Sequence, residues 1–117
     1  MFIDTHTHLY SEEFNLDRIE RINDAIQKSV TKFYMPNVDS NSIDGMLQLE
    51  VHFPEQCLAM MGLHPCSVKE NYRDELEIVK KWLDLRKFAA IGEIGMDLYW
   101  DKTFIKEQEL VFREQIY

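Results

Sequence analysis

Residues 57–63 read CLAMMGL, a nearly continuous apolar run that ends at His64 and Pro65. A strand that is apolar at successive positions is covered on both faces, as strands of parallel sheets are. Working outward from this run, the chain repeats one plan on both sides, in which an apolar strand precedes an amphipathic helix. This alternation predicts an α/β fold whose parallel strands are joined by right-handed crossovers.

Four strand-helix repeats of this kind fill the chain. The predicted strands are residues 2–5, 32–38, 57–63 and 88–94, and the predicted helices are residues 17–30, 43–51 with Ser40 or Asn41 as the cap, 71–87, and 103 onward with Ile105, Phe112 and Ile116 on its apolar face. A TIM-type (β/α)8 barrel typically takes about 250 residues, so four βα units would make its N-terminal half. An open parallel sheet is the alternative.

The last predicted helix reaches Tyr117 with its apolar pattern still running and with no glycine to end it. We therefore expect residues 1–117 to be one partial domain that is truncated at its C-terminus. Unpaired strands at the edges of such a half-barrel favour pairing with another chain, so self-association through the open sheet edges is also expected.

The composition excludes some classes of function. With a net charge of −8 over 117 residues, the chain lacks the broad basic face that binds nucleic acid by phosphate neutralisation alone, although cations held in a pocket could bind phosphate locally. Cys57 and Cys66 form no C-x-x-C pair and no secretory signal precedes the first strand, which predicts a reduced, cytoplasmic protein. No apolar run approaches the roughly 18 residues that cross a membrane, so no membrane partner is expected.

Polar residues follow the end of every predicted strand. Active groups of parallel α/β proteins collect at the C-terminal ends of the strands. The residues at those ends are His6 and His8 after the first strand, Asn37 and Asp39 at the end of the second, His64 after the third, and Glu93 followed by Asp97 at the fourth. We expect these side chains to lie along one rim of the sheet.

The H-x-H pair is the first candidate for a metal site. Side chains alternate along a strand, so His6 and His8 point to the same face together with Asp4. Two neighbouring imidazoles suit a divalent metal, and the alternative is a pair of polar contacts within the protein. Asp4 either orients the two imidazoles or makes a hydrogen bond within the strand.

Glu93 and His64 are the other candidates. Glu93 lies between Gly92 and Gly95 in an apolar strand, where an acid is rarely buried unless it is paired. We predict a catalytic carboxylate that bridges cations, with a solvent-facing or arginine-paired glutamate as the alternative. The proline at position 65 holds His64 extended and directs its side chain from the rim. His64 is either a phosphate-binding residue or a loop histidine that hydrogen-bonds the backbone.

Several spaced motifs together resemble the TatD-like deoxyribonuclease family of the amidohydrolase superfamily. They are FIDTHTHL at residues 2–9, GLHP at 62–65 and AIGEIGMDLYW at 90–100, followed by Gln108, Phe112 and Gln115. The resemblance covers all 117 residues and implies a (β/α)8 metal-dependent hydrolase that cleaves DNA phosphodiester bonds. It implies that His6 and His8 are first-strand ligands, and that Glu93 ligates or bridges one or two divalent ions of zinc, magnesium or manganese.

The same resemblance implies that part of the site lies outside this chain. Family members have two more histidines and an aspartate on strands after the fourth. The 117 residues alone are therefore expected to bind metal weakly and to have little activity. In the whole site a metal-activated water would attack phosphorus, and His64 would bind a phosphate oxygen of DNA or of another phosphodiester.

Two other classes of enzyme share part of this pattern. Polymerase-and-histidinol-type phosphoesterases also begin with an H-x-H strand, and many amidohydrolases bridge their metals with a carboxylated lysine. The position of Glu93 within GEIG favours the TatD-like family over both. The remaining alternative is not an enzyme but an inactive half-barrel that only binds metal or associates with a second copy.

Overall fold

The fold is a parallel sheet with helices packed against it. The computed structural model describes residues 1–117. Its regular elements in chain order are β1 (Phe2–Asp4), α1 (Arg18–Gln27), β2 (Val30–Met35), α2 (Ile43–His52), β3 (Cys57–Ala59), α3 (Tyr72–Leu85) and α4 (Ile105–Ile116). The strands form one parallel sheet in the order β1-β2-β3, so each strand lies beside the next one in sequence. This confirms the predicted α/β fold with parallel strands and crossover helices.

The core lies between one face of the sheet and the helices. Side chains alternate along β2, β3 and the segment after β3, and the buried set on this face is Phe33, Met35, Cys57, Ala59, Met61 and Leu63. All four helices contribute buried apolar residues to the same core, among them Ile22, Met46, Val79 and Val111. No helix has both the length and the apolar composition that a membrane crossing needs.

The second strand begins earlier than its pattern predicts. Val30 has helical spacing with the residues before it, yet it is the first residue of β2. The reason is Ser29, which has a φ of 72° and so ends the helical path in a left-handed turn. β2 ends at Met35, because the next residue, Pro36, cannot donate a ladder hydrogen bond.

Residues 88–94 do not form the regular fourth strand that the apolar pattern predicts. They run beside the extension of β3, where Gly92 N donates to Met61 O at 3.0 Å. Only Met61 and Ile91 form a parallel bridge there. The ladder stops because the Gly92 carbonyl and the Glu93 N–H bond to the backbone of Asn37 instead. Asn37 lies beyond the end of β2. The segment therefore crosses the strand ends and carries its acidic residue over them.

Gly62 allows this crossing segment to approach the extension of β3. A Cβ at Gly62 would lie 2.8 Å from the carbonyl carbon of Gly92, closer than a real side chain can approach. We expect Gly62→Ala to lower the free energy of unfolding by about 1–3 kcal/mol, because backbone on one side must shift. Urea denaturation measures this change.

The matched control for that substitution is Gly45→Ala within α2. A Cβ at Gly45 would meet nothing closer than 3.8 Å. Alanine favours the helix over glycine, so this variant is expected to raise the free energy of unfolding by about 1 kcal/mol. Two alanine variants with equal effects would contradict the close approach at Gly62.

Helix α4 buries a different face from the one its apolar residues predict. Ile105 and Ile116 are 43% and 58% exposed, whereas Gln108, Val111 and Gln115 are buried. The expectation that the isoleucines mark the buried face is therefore wrong. The cause lies outside the helix, in backbone groups that need hydrogen-bond partners.

The two buried glutamines satisfy backbone groups of the neighbouring segments. Gln115 Oε1 accepts a hydrogen bond from Leu63 N at 2.7 Å. Gln108 Oε1 accepts from Asp97 N at 2.9 Å, and its Nε2 donates to Asp97 O at 3.0 Å. Each side-chain amide thus takes the place of a peptide group from a neighbouring strand, since buried backbone groups must be paired.

Candidate metal centre

The chain just after β1 places two imidazoles side by side. Thr7 N donates to Tyr34 O at 3.0 Å, which keeps the chain along β2 beyond the end of β1. His6 Nε2 and His8 Nε2 are 3.2 Å apart, so the pair shares a face as predicted. Asp4 Oδ1 accepts from His6 N at 3.1 Å. The Asp4 carboxylate thus bonds the backbone, which is the structural alternative of its two expected roles.

The carboxylate of Glu93 lies among three imidazoles. Its Oε2 is 3.2 Å from His6 Nε2 and 3.4 Å from His8 Nε2, and its Oε1 is 3.0 Å from His64 Nε2. The Glu93 side chain is 23% exposed and faces these histidines rather than an arginine. The structure therefore brings together four of the residues that the sequence places at strand ends.

Asn37 positions the segment that carries Glu93. Its backbone N donates to Gly92 O at 3.0 Å, and its backbone O accepts from Glu93 N at 3.1 Å. The Asn37 side chain is fully buried, with Nδ2 donating to Gly62 O at 2.9 Å and Oδ1 accepting from Ser42 Oγ at 2.8 Å. Sequence reasoning places Asn37 at a strand end but misses this role. The one local signal is an amide that directly follows a strand-ending proline.

The backbone after His64 determines which ring nitrogen carries hydrogen. His64 precedes the short 3-10 helix Pro65–Ser67, and its Nδ1 accepts from Cys66 N at 2.9 Å. A backbone N–H is always the donor, so in the neutral ring the hydrogen of His64 is on Nε2. That Nε2–H donates to Glu93 Oε1. The backbone-bonded alternative for His64 is therefore observed, and its phosphate-binding role stays a prediction.

The surroundings of His8 favour its neutral form. Burial is the largest influence and lowers the pKa of His8 below its usual value. The Glu93 carboxylate acts in the opposite direction, and the neighbouring His6 and His64 lower the pKa further. Neutral imidazole is the form that binds a metal, so this environment suits a ligand.

The three donor atoms fit a divalent metal in two respects. Glu93 Oε2 is buried and has no hydrogen-bond partner, which is costly for a carboxylate oxygen unless a cation supplies the missing interaction. The separations among Glu93 Oε2, His6 Nε2 and His8 Nε2 are 3.2, 3.2 and 3.4 Å. Ligands at about 2.0–2.1 Å from a tetrahedral zinc ion are about 3.3 Å apart. The chemistry and the spacing of this donor set therefore agree with a metal site.

Two other acids at strand ends do not join the cluster. Asp39 caps the short 3-10 helix Ser40–Ser42, where its Oδ1 accepts from a backbone N–H at 2.9 Å. Asp97 Oδ1 accepts from Tyr99 N at 3.1 Å, and its Oδ2 accepts from the Cys66 thiol at 3.3 Å. These two bonds lower the pKa of Asp97. Both carboxylates therefore organise loops around the site.

Comparison with known proteins assigns the chain to a family. Residues 3–117 match the family model described as TatD related DNase. The chain belongs to the TatD-related DNase family. This membership confirms the resemblance that the spaced sequence motifs indicate.

Individual TatD relatives align with nearly all of the chain. The chain is 31% identical over 116 residues to an uncharacterized metal-dependent hydrolase, YabD of Bacillus subtilis. This alignment covers 99% of the chain and 45% of YabD. The chain is 25% identical over 113 residues to the 3'-5' ssDNA/RNA exonuclease TatD of Dickeya dadantii. This alignment covers 97% of the chain and 43% of the Dickeya protein. The crystal structure of YjjV, a TatD homologue from Escherichia coli, matches with a TM-score of 0.88 at 31% identity, with 98% and 45% covered.

The aligned fractions show how much of its relatives' fold this chain contains. The chain spans about half the length of these TatD relatives. Together with the structural match to YjjV, this confirms the predicted fold class, the N-terminal half of a TIM-type barrel built from parallel βα units. The strand ends that carry the cluster are thus at the face where TIM barrels hold their active sites.

Proposed function

We propose that this chain carries the first part of the active site of a metal-dependent nuclease that cleaves phosphodiester bonds of DNA with a metal-activated water. The observation behind the proposal is the unpartnered Glu93 Oε2 with the Nε2 atoms of His6 and His8 beside it. The names of the relatives support the proposal, since YabD is named a metal-dependent hydrolase and the Dickeya protein a 3'-5' ssDNA/RNA exonuclease.

His6, His8 and Glu93 are the proposed ligands of one or two divalent ions. Two imidazole nitrogens with one carboxylate oxygen suit zinc better than magnesium or manganese, which prefer oxygen ligands. When bound, the metal supplies Lewis acidity toward a phosphate oxygen and lowers the pKa of a coordinated water. Glu93 is the proposed catalytic carboxylate, because one of its oxygens faces the two ligand histidines while the other accepts from His64.

His64 is the proposed substrate-binding residue. Its Nε2 is a donor of fixed orientation, because Nδ1 is held by the N–H of Cys66. This Nε2–H donates to Glu93 Oε1 in the present structure, and a phosphate oxygen that replaces Glu93 Oε1 would accept it in the complex. With a net charge of −8, the protein must make its phosphate contacts locally, at the metal and at His64. This arrangement favours strand ends and short substrates over long tracts of duplex DNA.

Hydrolysis of an end-labelled single-stranded oligonucleotide tests the proposed function. The metal-stripped chain is assayed with added zinc or manganese and again with a chelator. Because residues 1–117 offer three ligand atoms, we expect weak metal binding and slow, chelator-sensitive hydrolysis. Hydrolysis that proceeds equally in the presence of the chelator would contradict the proposal.

The role of His64 is separated from that of the ligands by His64→Gln. We expect KM for the oligonucleotide to rise about ten-fold, since a hydrogen bond to a charged oxygen contributes about 1.5–3 kcal/mol. Metal affinity in isothermal titration should fall by no more than about 10-fold, because His64 contacts the ligand Glu93 and is not itself a ligand. His52→Gln, at an exposed position of α2, is the matched control and should change neither quantity. Loss of metal binding in His64→Gln would show that His64 is a ligand instead.

A second candidate is a fragment that binds metal or associates with a second copy without catalysis. The observation in its favour is the edge strand β1, where Phe2 and Ile3 are 67% and 51% exposed. Metal binding without hydrolysis, together with a dimer in light scattering of the same samples, would favour this candidate over the nuclease.

A further inference from the structure

We infer that Tyr10 is a positioning residue that holds His8 in the tautomer whose Nε2 lone pair faces the cluster. His8 Nδ1 lies 2.7 Å from the hydroxyl oxygen of Tyr10. The same hydroxyl contacts the carbonyl oxygen of Pro36 at the end of β2. The three groups form a chain of hydrogen bonds that leads from the cluster to the sheet.

The direction of these hydrogen bonds follows from counting hydrogens. The Tyr10 hydroxyl has one hydrogen, and the Pro36 carbonyl can only accept, so the hydroxyl donates to Pro36 O. The Tyr10 oxygen must then accept from His8, which places the ring hydrogen of neutral His8 on Nδ1. The other ring nitrogen, Nε2, is left with a free lone pair.

That lone pair belongs to the atom that faces the other donors. His8 Nε2 is the atom 3.4 Å from Glu93 Oε2 and 3.2 Å from His6 Nε2. In the metal-free chain, His6 Nε2–H can donate to it, which agrees with His8 Nε2 as an acceptor. A histidine ligand needs its other ring N–H bonded to an acceptor that fixes ring and tautomer, and Tyr10 supplies this acceptor.

Tyr10 itself is held in place by the fold. Its side chain is half-buried and packs against the hydrophobic core. The rings of His8 and Tyr10 meet edge-on, with centroids 5.6 Å apart and planes at 86°. The guanidinium of Arg18 donates to the backbone carbonyls of Leu9 and Tyr10 at 2.7 and 3.1 Å. The hydroxyl is therefore presented to His8 by a fixed backbone.

The tautomer of His8 can be observed directly in the full 117-residue chain without metal. Long-range proton–nitrogen NMR correlation at about pH 8, where the ring is neutral, distinguishes Nδ1–H from Nε2–H. We expect Nδ1–H on His8 in the wild-type chain. A wild-type spectrum with Nε2–H on His8 would overturn the inference, and this result does not depend on the folding of any variant.

Tyr10→Phe tests whether the hydroxyl is the cause. It keeps the ring in the core and removes only the oxygen, so His8 should lose its single tautomer and zinc affinity should fall about 10–100-fold. Tyr72→Phe is the matched control, since the Tyr72 hydroxyl only accepts from its surface neighbour Arg73, and it should change neither readout. An unchanged His8 tautomer and zinc affinity in Tyr10→Phe would overturn the inference.

The inference rests on the proposed metal site, but the two fail in different ways. The tautomer is measured without metal, whereas the proposed function requires metal binding. A wild-type chain that shows Nδ1–H on His8, lost in Tyr10→Phe, but that binds no zinc would support the role of Tyr10 and contradict the proposed function.

Discussion

Glu93→Gln is expected to weaken zinc binding by at least about 100-fold. The amide keeps the shape of the side chain but has no charge, and one of its polar atoms is an NH2 that cannot bind metal. Loss of a residue that only contacts a metal ligand costs about 10–100-fold in affinity, so loss of the ligand itself should cost more. Isothermal titration measures the change, and chelator-sensitive hydrolysis should disappear with it.

The same variant should keep the stability of the metal-free fold. Glu93 Oε2 is buried without a hydrogen-bond partner, a state that costs about 1–3 kcal/mol, and glutamine places a neutral group there. The free energy of unfolding without metal is therefore expected to stay constant or to rise by about 1 kcal/mol. Glu70→Gln, at an exposed position, is the control and should change neither property. Full zinc affinity in Glu93→Gln would place any metal site elsewhere.

Asn37→Asp is expected to have the largest effect on stability, a loss of about 3–5 kcal/mol at pH 7. Asn37 Nδ2 donates to Gly62 O at 2.9 Å and to Asp39 O at 3.1 Å. Aspartate has nearly the same shape but would direct an oxygen, with its charge, at these two carbonyl oxygens in a fully buried position. Urea denaturation measures the loss, and zinc affinity should fall too, because Asn37 holds the backbone of Glu93.

The pH dependence of the Asn37→Asp variant provides a second check. Burial raises the pKa of the new carboxyl group in the folded state above its value in the unfolded chain. The ionisation penalty is then fully present above the folded-state pKa and is lost as the pH falls to the unfolded value near about 4. Asn71→Asp, at an exposed position, should change stability by less than about 0.5 kcal/mol. A small loss that does not vary with pH would contradict the buried network around Asn37.

Apolar periodicity predicts the strands and helices whose burial depends on apolar packing alone. The apolar run at 57–63 and the helical spacing around it predict parallel strands with crossover helices, and the structure has them. The pattern fails at 88–94 and on α4, where burial depends on hydrogen bonds to distant backbone. Gln108 and Gln115 are buried because Asp97 and Leu63 need partners, and no local pattern contains that information.

The candidate site also combines residues that the sequence predicts with residues that it does not. His6, His8, His64 and Glu93 are found from sequence because parallel strands end at one edge, so residues at the strand ends become neighbours. Their roles as ligands and as a phosphate-binding residue stay predictions. The groups that orient them are not found from sequence, because hydroxyl and amide side chains occur in many loops and acquire a role only through the partner they meet.

The sequence by itself determined the order of strands and helices and the set of polar residues at the strand ends, because apolar periodicity and chain order are local properties. Only the tertiary structure decided that the 88–94 segment turns from β3 to Asn37 at Gly92 and Glu93, and that Tyr10 faces His8. Each of these contacts joins groups whose hydrogen-bonding needs are met by one particular partner in space, and several of those partners are tens of residues apart in the chain.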